Sequence, residues 1–111
     1  MSARLNKRKA GALLDQARLL IANGTFGRAI EVLREVLDAK VLPGTDADRL
    51  AAEALERAGR RDEARVFLEK AVQRHKHDTT LMVRLGVLLM HVNESARAVE
   101  LMARARNELR R

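Results

Sequence analysis

Three pairs of small residues recur along the chain in one register: Ala17 and Ala29, Ala52 and Ala64, Gly86 and Ala98. Each pair is 12 residues apart, and the pairs follow one another after 35 and then 34 residues. A small side chain at a fixed place in each of two successive helices lets their backbones approach closely. Repeating that arrangement three times limits the chain to a stack of helical hairpins with a common packing unit.

Hydrophobic periodicity supplies the helices. Leu13, Ala17, Leu20 and Ile21 form a helical stripe from Lys9 to Asn23-Gly24. Gly24 tolerates the positive φ that ends a helix. A second stripe, Phe26, Ile30, Leu33, Val36 and Leu37, runs to the breaker Leu42-Pro43-Gly44. Thr45 or Asp46 can cap a third helix carrying Leu50, Ala51, Ala54, Leu55 and Ala58, which Gly59 ends. Asp62 is the expected cap of a fourth helix with Val66, Phe67, Leu68, Ala71 and Val72. Asp78 or Thr79 opens a fifth from Leu81 to about His91, and Asn93 a sixth with Ala96, Val99, Leu101, Met102 and Ala105. Short connections make neighbouring helices antiparallel. The expected organisation is a basic flexible tail over residues 1–8 and a single domain over 9–111, with repeats at about 10–44, 45–78 and 79–111.

Phe26 and Phe67 are the only aromatic residues, so the core must be aliphatic. There is no cysteine, which excludes disulfides and thiolate metal sites and fits a reducing compartment. No apolar run is long enough for a membrane span, and no signal peptide is visible, so a cytoplasmic protein is expected. The net charge of +7 is uneven. Residues 1–44 carry eight basic and four acidic side chains, residues 45–78 eight of each, and residues 79–111 six and three.

The repeat resembles the tetratricopeptide repeat, whose period is 34 residues. The residues that carry the resemblance are Leu13-x2-Gln16-Ala17-x2-Leu20 with Ala29-x3-Leu33-x2-Val36, Ala51-Ala52-x2-Leu55 with Ala64-x3-Leu68-x2-Ala71, and Met82-x2-Leu85-Gly86-x2-Leu89 with Ala98-x3-Met102-x2-Ala105. The segments Asn23-Gly24-Thr25-Phe26-Gly27-Arg28-Ala29 and Ala58-Gly59-Arg60-Arg61-Asp62-Glu63-Ala64 look like the family's inter-helix turn. The chain departs from the family pattern at its aromatic positions, which are aliphatic. It departs also at Asp48, where a bulky residue is usual, and at the closing proline, whose place is taken by Val41, Lys76 and Arg110. The resemblance implies an all-α fold, a right-handed stack of three hairpins, and a non-enzymatic module that binds other proteins. It also implies a concave groove lined by the first helix of each repeat. Its residues here are Leu14, Arg18 and Ile21, then Arg49, Glu53, Glu56 and Arg57, then Val83, Val87, Met90 and His91. Leu14, Ile21, Val83, Val87 and Met90 would anchor a peptide or amphipathic helix, with Arg18, Arg49 and Arg57 steering acidic flanks. The asparagines, Asn6, Asn23, Asn93 and Asn107, lie at helix ends or in the tail, so the resemblance does not extend to the family's carboxylate clamp.

The fifth helix is apolar almost all round. Either its neighbours bury it, or a partner or a second copy covers Val83, Val87 and Met90. The apolar face of the sixth helix is open to the same alternatives, which makes a self-associating scaffold the second reading. His75, His77 and His91 lack metal-ligand spacing. Glu53 and Glu56, like Asp62 and Glu63, fall at three- or four-residue spacing from nearby arginines, as in Glu53–Arg57, which suits surface ion pairs, and no nucleophile–base set or phosphate loop is visible. No catalytic, cofactor or metal residue is therefore assigned. The basic residues at the two ends (Arg4, Lys7, Arg8, Lys9; Arg104, Arg106, Arg110, Arg111) come without aromatic stacking platforms, which disfavours nucleic acid against an acidic protein partner.

Overall fold

The computed structural model describes residues 5–111. It contains six helices: α1 (Lys7–Ala22), α2 (Phe26–Ala39), α3 (Asp46–Arg57), α4 (Arg61–Arg74), α5 (Thr79–His91) and α6 (Ser95–Leu109). No strand occurs among the described residues. The chain divides into two compact units, one ending at Arg60 and the other beginning at Arg61.

In the first unit, α2 packs against both α1 and α3. Ile30, Val32, Leu33 and Val36 of α2 are buried, together with Ala10, Ala17 and Ile21 of α1. The amphipathic period explains this placement, since the residues fall three or four apart on one helix face. The charged residues of α2, Glu31, Arg34, Glu35 and Asp38, are all exposed. Asn6 caps α1, its side chain accepting from the backbone N–H of Lys9 at 2.8 Å. That cap starts the helix at Lys7, two residues before the apolar stripe does. Of the expected tail over residues 1–8, Met1 to Arg4 lie outside the described residues, and Lys7 and Arg8 belong to the first turn of α1.

In the second unit α5 holds the corresponding middle place, packed against α4 and α6. Leu81, Met82, Leu85, Leu88 and Leu89 of α5 are buried with Leu68, Ala71 and Val72 of α4 and Ala98, Leu101 and Ala105 of α6. Arg97 of α6 makes a bidentate pair with Glu69 of α4, and Arg65 of α4 donates to Glu94, just before α6, at 2.7 Å. The bond to Glu69 raises the pKa of Arg97 further above its ordinary value. Both pairs are half exposed, which limits each to about 0–1 kcal/mol.

The six small residues of the register are all buried. At Gly86 the Met102 side chain of α6 comes close to the α5 backbone. A Cβ built there would stand 2.8 Å from Cε of Met102. A second element of the repeat follows each first small residue by seven positions. Gly24, Gly59 and Asn93 have φ of 79°, 78° and 64°. Each donates to the carbonyl three residues earlier, and each following residue donates to the carbonyl five earlier: Thr25 to Leu20, Arg60 to Leu55, Glu94 to Leu89, at 2.8–2.9 Å. This is the left-handed Schellman stop, formed three times in register.

The structure corrects two expected helix starts. Asn93 ends α5 instead of opening α6, whose N-cap is Glu94. Asp62 lies in the first turn of α4, where its charge suits the helix dipole, and not at the cap. Thr45 is the N-cap of α3 as its position suggests, with no capping bond from its side chain, and its carbonyl accepts from Arg49 N–H at 2.9 Å. Asp78 caps α5 as its sequence position suggests, accepting from Leu81 N–H at 2.9 Å. The 35-residue spacing of the first two small pairs coincides with the loop between α2 and α3, where Lys40 and Gly44 take φ of 53° and 81°.

Candidate functional site

The apolar residues of α5 separate into two sets. Five point into the unit and are buried, while Val83, Val87 and Met90 are 41%, 44% and 57% exposed. These three are spaced i, i+4 and i+7, so they form one stripe along the helix. At the start of α5, an open hollow of about 350 Å³ is lined by Thr79, Thr80, Val83, Arg84 and Leu109. At its end, a second hollow of about 300 Å³ is lined by Met90 with Ala98, Val99, Met102, Ala103 and Arg106 of α6. The stripe therefore continues at both ends onto α6. Val99 and Leu109, 67% and 76% exposed, extend the apolar surface. His91 is exposed beside Met90 in sequence.

The two hollows are lined mainly by apolar side chains. Threonine hydroxyls, arginine guanidinia and aliphatic carbons line the two hollows, with no carboxylate or imidazole among the lining residues. Flexible methionine side chains let such a surface adapt its shape. The α6 residues were the part missed by selecting groove positions from first helices alone. Their signal was present in the spacing of Val99, Met102, Ala103 and Arg106, which places them on one face of a helix.

The remaining predicted residues belong to the first unit. Ile21 is 4% exposed and is a core residue. Its assignment as a surface anchor is corrected, because the packing of α1 with α2 and α3 uses the face it occupies. Leu14 is half-buried. Arg18 is exposed, and its guanidinium lies 3.5 Å from Asp46 and 3.9 Å from Asp15. Arg49, Glu53 and Glu56 are half-buried. Arg57 donates to Glu53 at 3.3 Å, the pair expected from i, i+4 spacing, and lies over the Phe26 ring at 4.9 Å from its centroid. Arg18 and Arg57 are thus held in internal interactions, so a partner's carboxylate would have to displace one already present.

His77 lies between α4 and α5, two residues before α5 begins. Its Nδ1 is 3.0 Å from Glu108 and 3.1 Å from Arg111. The hydrogen bond from His77 lowers the pKa of the Glu108 carboxyl below its ordinary value, and Arg111 adds to the effect. This cluster ties the last turn of α6 to the residues that precede α5. Among the described residues, no helix is long and apolar enough to cross a membrane.

A search of curated proteins finds no match. The family model described as Tetratricopeptide repeat matches residues 55–111, which include the third Schellman stop, the Gly86–Ala98 pair and the whole α5–α6 surface. With six helices, no strand among the described residues and a small-residue register repeated three times, the chain belongs to the tetratricopeptide repeat family.

Proposed function

We propose that the chain is a non-enzymatic adaptor that docks a peptide or helix of a partner protein on the second unit, through Val83, Val87 and Met90. Repeats of this family mediate protein–protein interaction and are typically not enzymes. The observation that carries the reading is the partition of α5. A helix whose core face already holds five buried apolar residues also presents three apolar side chains, one turn apart, to solvent. Covering such side chains is favourable by about 25 cal/mol per Å² of apolar area removed from water. The lack of cysteine suits a cytoplasmic setting.

Val87→Glu tests the proposal. Val87 is 44% exposed, so a charge there is solvated and helicity should be unchanged by far-ultraviolet circular dichroism. A charge in the middle of a desolvated stripe should abolish retention of partner proteins by the immobilised chain. Retention of the same proteins by Val87→Glu would mean that the stripe is not the docking surface.

A further inference from the structure

The first unit shows how a helix sits on a hairpin in this chain. There α3 packs on both α1 and α2, Asp46 of α3 faces Arg18 of α1, and Arg57 of α3 covers Phe26 of α2. The small-residue register relates this hairpin to the one formed by α5 and α6: Ala17 corresponds to Gly86 and Ala29 to Ala98, a shift of 69 residues. Under that shift, Ile21 and Ile30 correspond to Met90 and Val99. Ile21 and Ile30 are 4% and 3% exposed, whereas Met90 and Val99 are 57% and 67% exposed. Leu33 is fully buried and its counterpart Met102 only half. The apolar seat filled in the first hairpin is present and open in the third.

Charge selects the occupant. Residues 79–111 carry six basic and three acidic side chains. Arg106 is the charged residue that lines the hollow beside Met90, Val99 and Met102. Of the three carboxylates, Glu94 is engaged with Arg65 and Glu108 with His77 and Arg111, while Glu100 is exposed. A second copy of the chain would bring a net charge of +7 to this basic face. The internal occupant α3 is acidic, with Asp46, Asp48, Glu53 and Glu56 against Arg49 and Arg57. Its Asp46 meets the Arg18 guanidinium of α1 at 3.5 Å.

We infer that the α5–α6 face seats one acidic amphipathic helix of another protein, as α3 seats on α1 and α2. Its apolar residues, spaced i, i+3, i+4 and i+7, cover Met90, Val99 and Met102, and its carboxylates meet Arg106. The inference rests on the stripe reading above and adds the shape and charge of the partner segment.

The test uses the isotope-labelled full chain and two synthetic helical peptides with identical apolar positions, one with glutamate and one with lysine at the polar positions. Titration to millimolar peptide is followed by backbone amide shifts. The glutamate peptide should move the amides of Met90, Val99 and Met102. Its affinity should fall about tenfold in Arg106→Glu and fall again in high salt, with the lysine peptide weaker still. Arg106→Gln should fall between wild type and Arg106→Glu, and circular dichroism of both variants should match wild type. Equal binding of the two peptides would overturn the charge assignment and leave the stripe reading standing. No shift on α5 or α6 with either peptide would overturn both. Movement of the same amides on diluting the chain alone would make a second copy the occupant and overturn the inference.

Discussion

Gly86→Ala separates the packing role of the register from helix propensity. In a helix interior, alanine is favoured over glycine by about 1 kcal/mol. At Gly86 the added Cβ would stand 2.8 Å from Cε, 3.4 Å from Sδ and 3.5 Å from Cγ of Met102. Ordinary carbon contacts begin near about 3.5 Å, so the Met102 methyl must retreat by about 0.7 Å or more. It is the end of an unbranched side chain in a half-buried residue, so the displacement should cost about 1 kcal/mol, at the low end of the overpacking range. The two effects cancel, and Gly86→Ala should leave stability unchanged within about 0.5 kcal/mol. In a Met102→Ala background the obstructing atoms are gone, and the same substitution should stabilise by about 1 kcal/mol. A double-mutant cycle from urea denaturation, followed by circular dichroism, measures that coupling of about 1 kcal/mol. Gly86→Val, which adds two methyl groups to the Cβ, should destabilise by about 2 kcal/mol or more. Equal effects of Gly86→Ala in both backgrounds would refute the argument, because Met102 would then not be what the glycine accommodates.

Asn93→Ala should destabilise by about 1 kcal/mol in the same assay, because alanine resists the left-handed conformation, while Asn93→Gly should be neutral or stabilising; an alanine variant as stable as wild type would remove the Schellman reading of that turn. Ile21→Ala should cost about 2–5 kcal/mol as a core truncation, and a loss under 1 kcal/mol would return Ile21 to the surface. Glu108 has a lowered folded-state pKa, so its stabilising contribution is present above the unfolded-state pKa and lost as pH falls through the folded one. The melting-temperature gap between wild type and Glu108→Gln should therefore be present at neutral pH and close below the ordinary carboxylate range; a gap that does not change in acid would rule out this linkage.

The fold was legible because its repeating features are local. The small residues and stripes mark which faces must meet, and Gly24 and Gly59 announce their stops by composition alone. Asn93 was harder to place because asparagine serves both as an N-cap and as a left-handed residue. Its distance of seven from Gly86, matching Gly24 from Ala17 and Gly59 from Ala52, decides between the two. The candidate site was half legible. Spacing identifies Val83, Val87 and Met90 as one stripe, but spacing does not report whether a neighbour covers it. Ile21 and Met90 occupy the same register position, and one is core while the other is surface. That difference is tertiary: it depends on α3 packing over the first hairpin, which no local pattern within α1 records.

The outer side of α5 is more apolar than the place of the helix in its unit requires. Both α2 and α5 are the middle helices of their units, each packed between two others. A helix in that place must be apolar on the sides its neighbours cover. Its third side is not so constrained, and α2 places Glu31, Arg34, Glu35 and Asp38 among its exposed positions. In α5 the exposed positions include Val83, Val87 and Met90, and Arg84 is the only arginine, lysine or acidic residue in the helix. Since α2 fills the equivalent place with a charged outer side, packing within the unit does not account for the apolar third side of α5. Substituting Val83 and Met90 by glutamine should accordingly leave the second unit folded, whereas the same change at Leu85 or Leu89, both fully buried, would place an amide in the core. What the stripe adds beyond folding is a surface that becomes more stable when covered, which is the physical requirement for docking another chain.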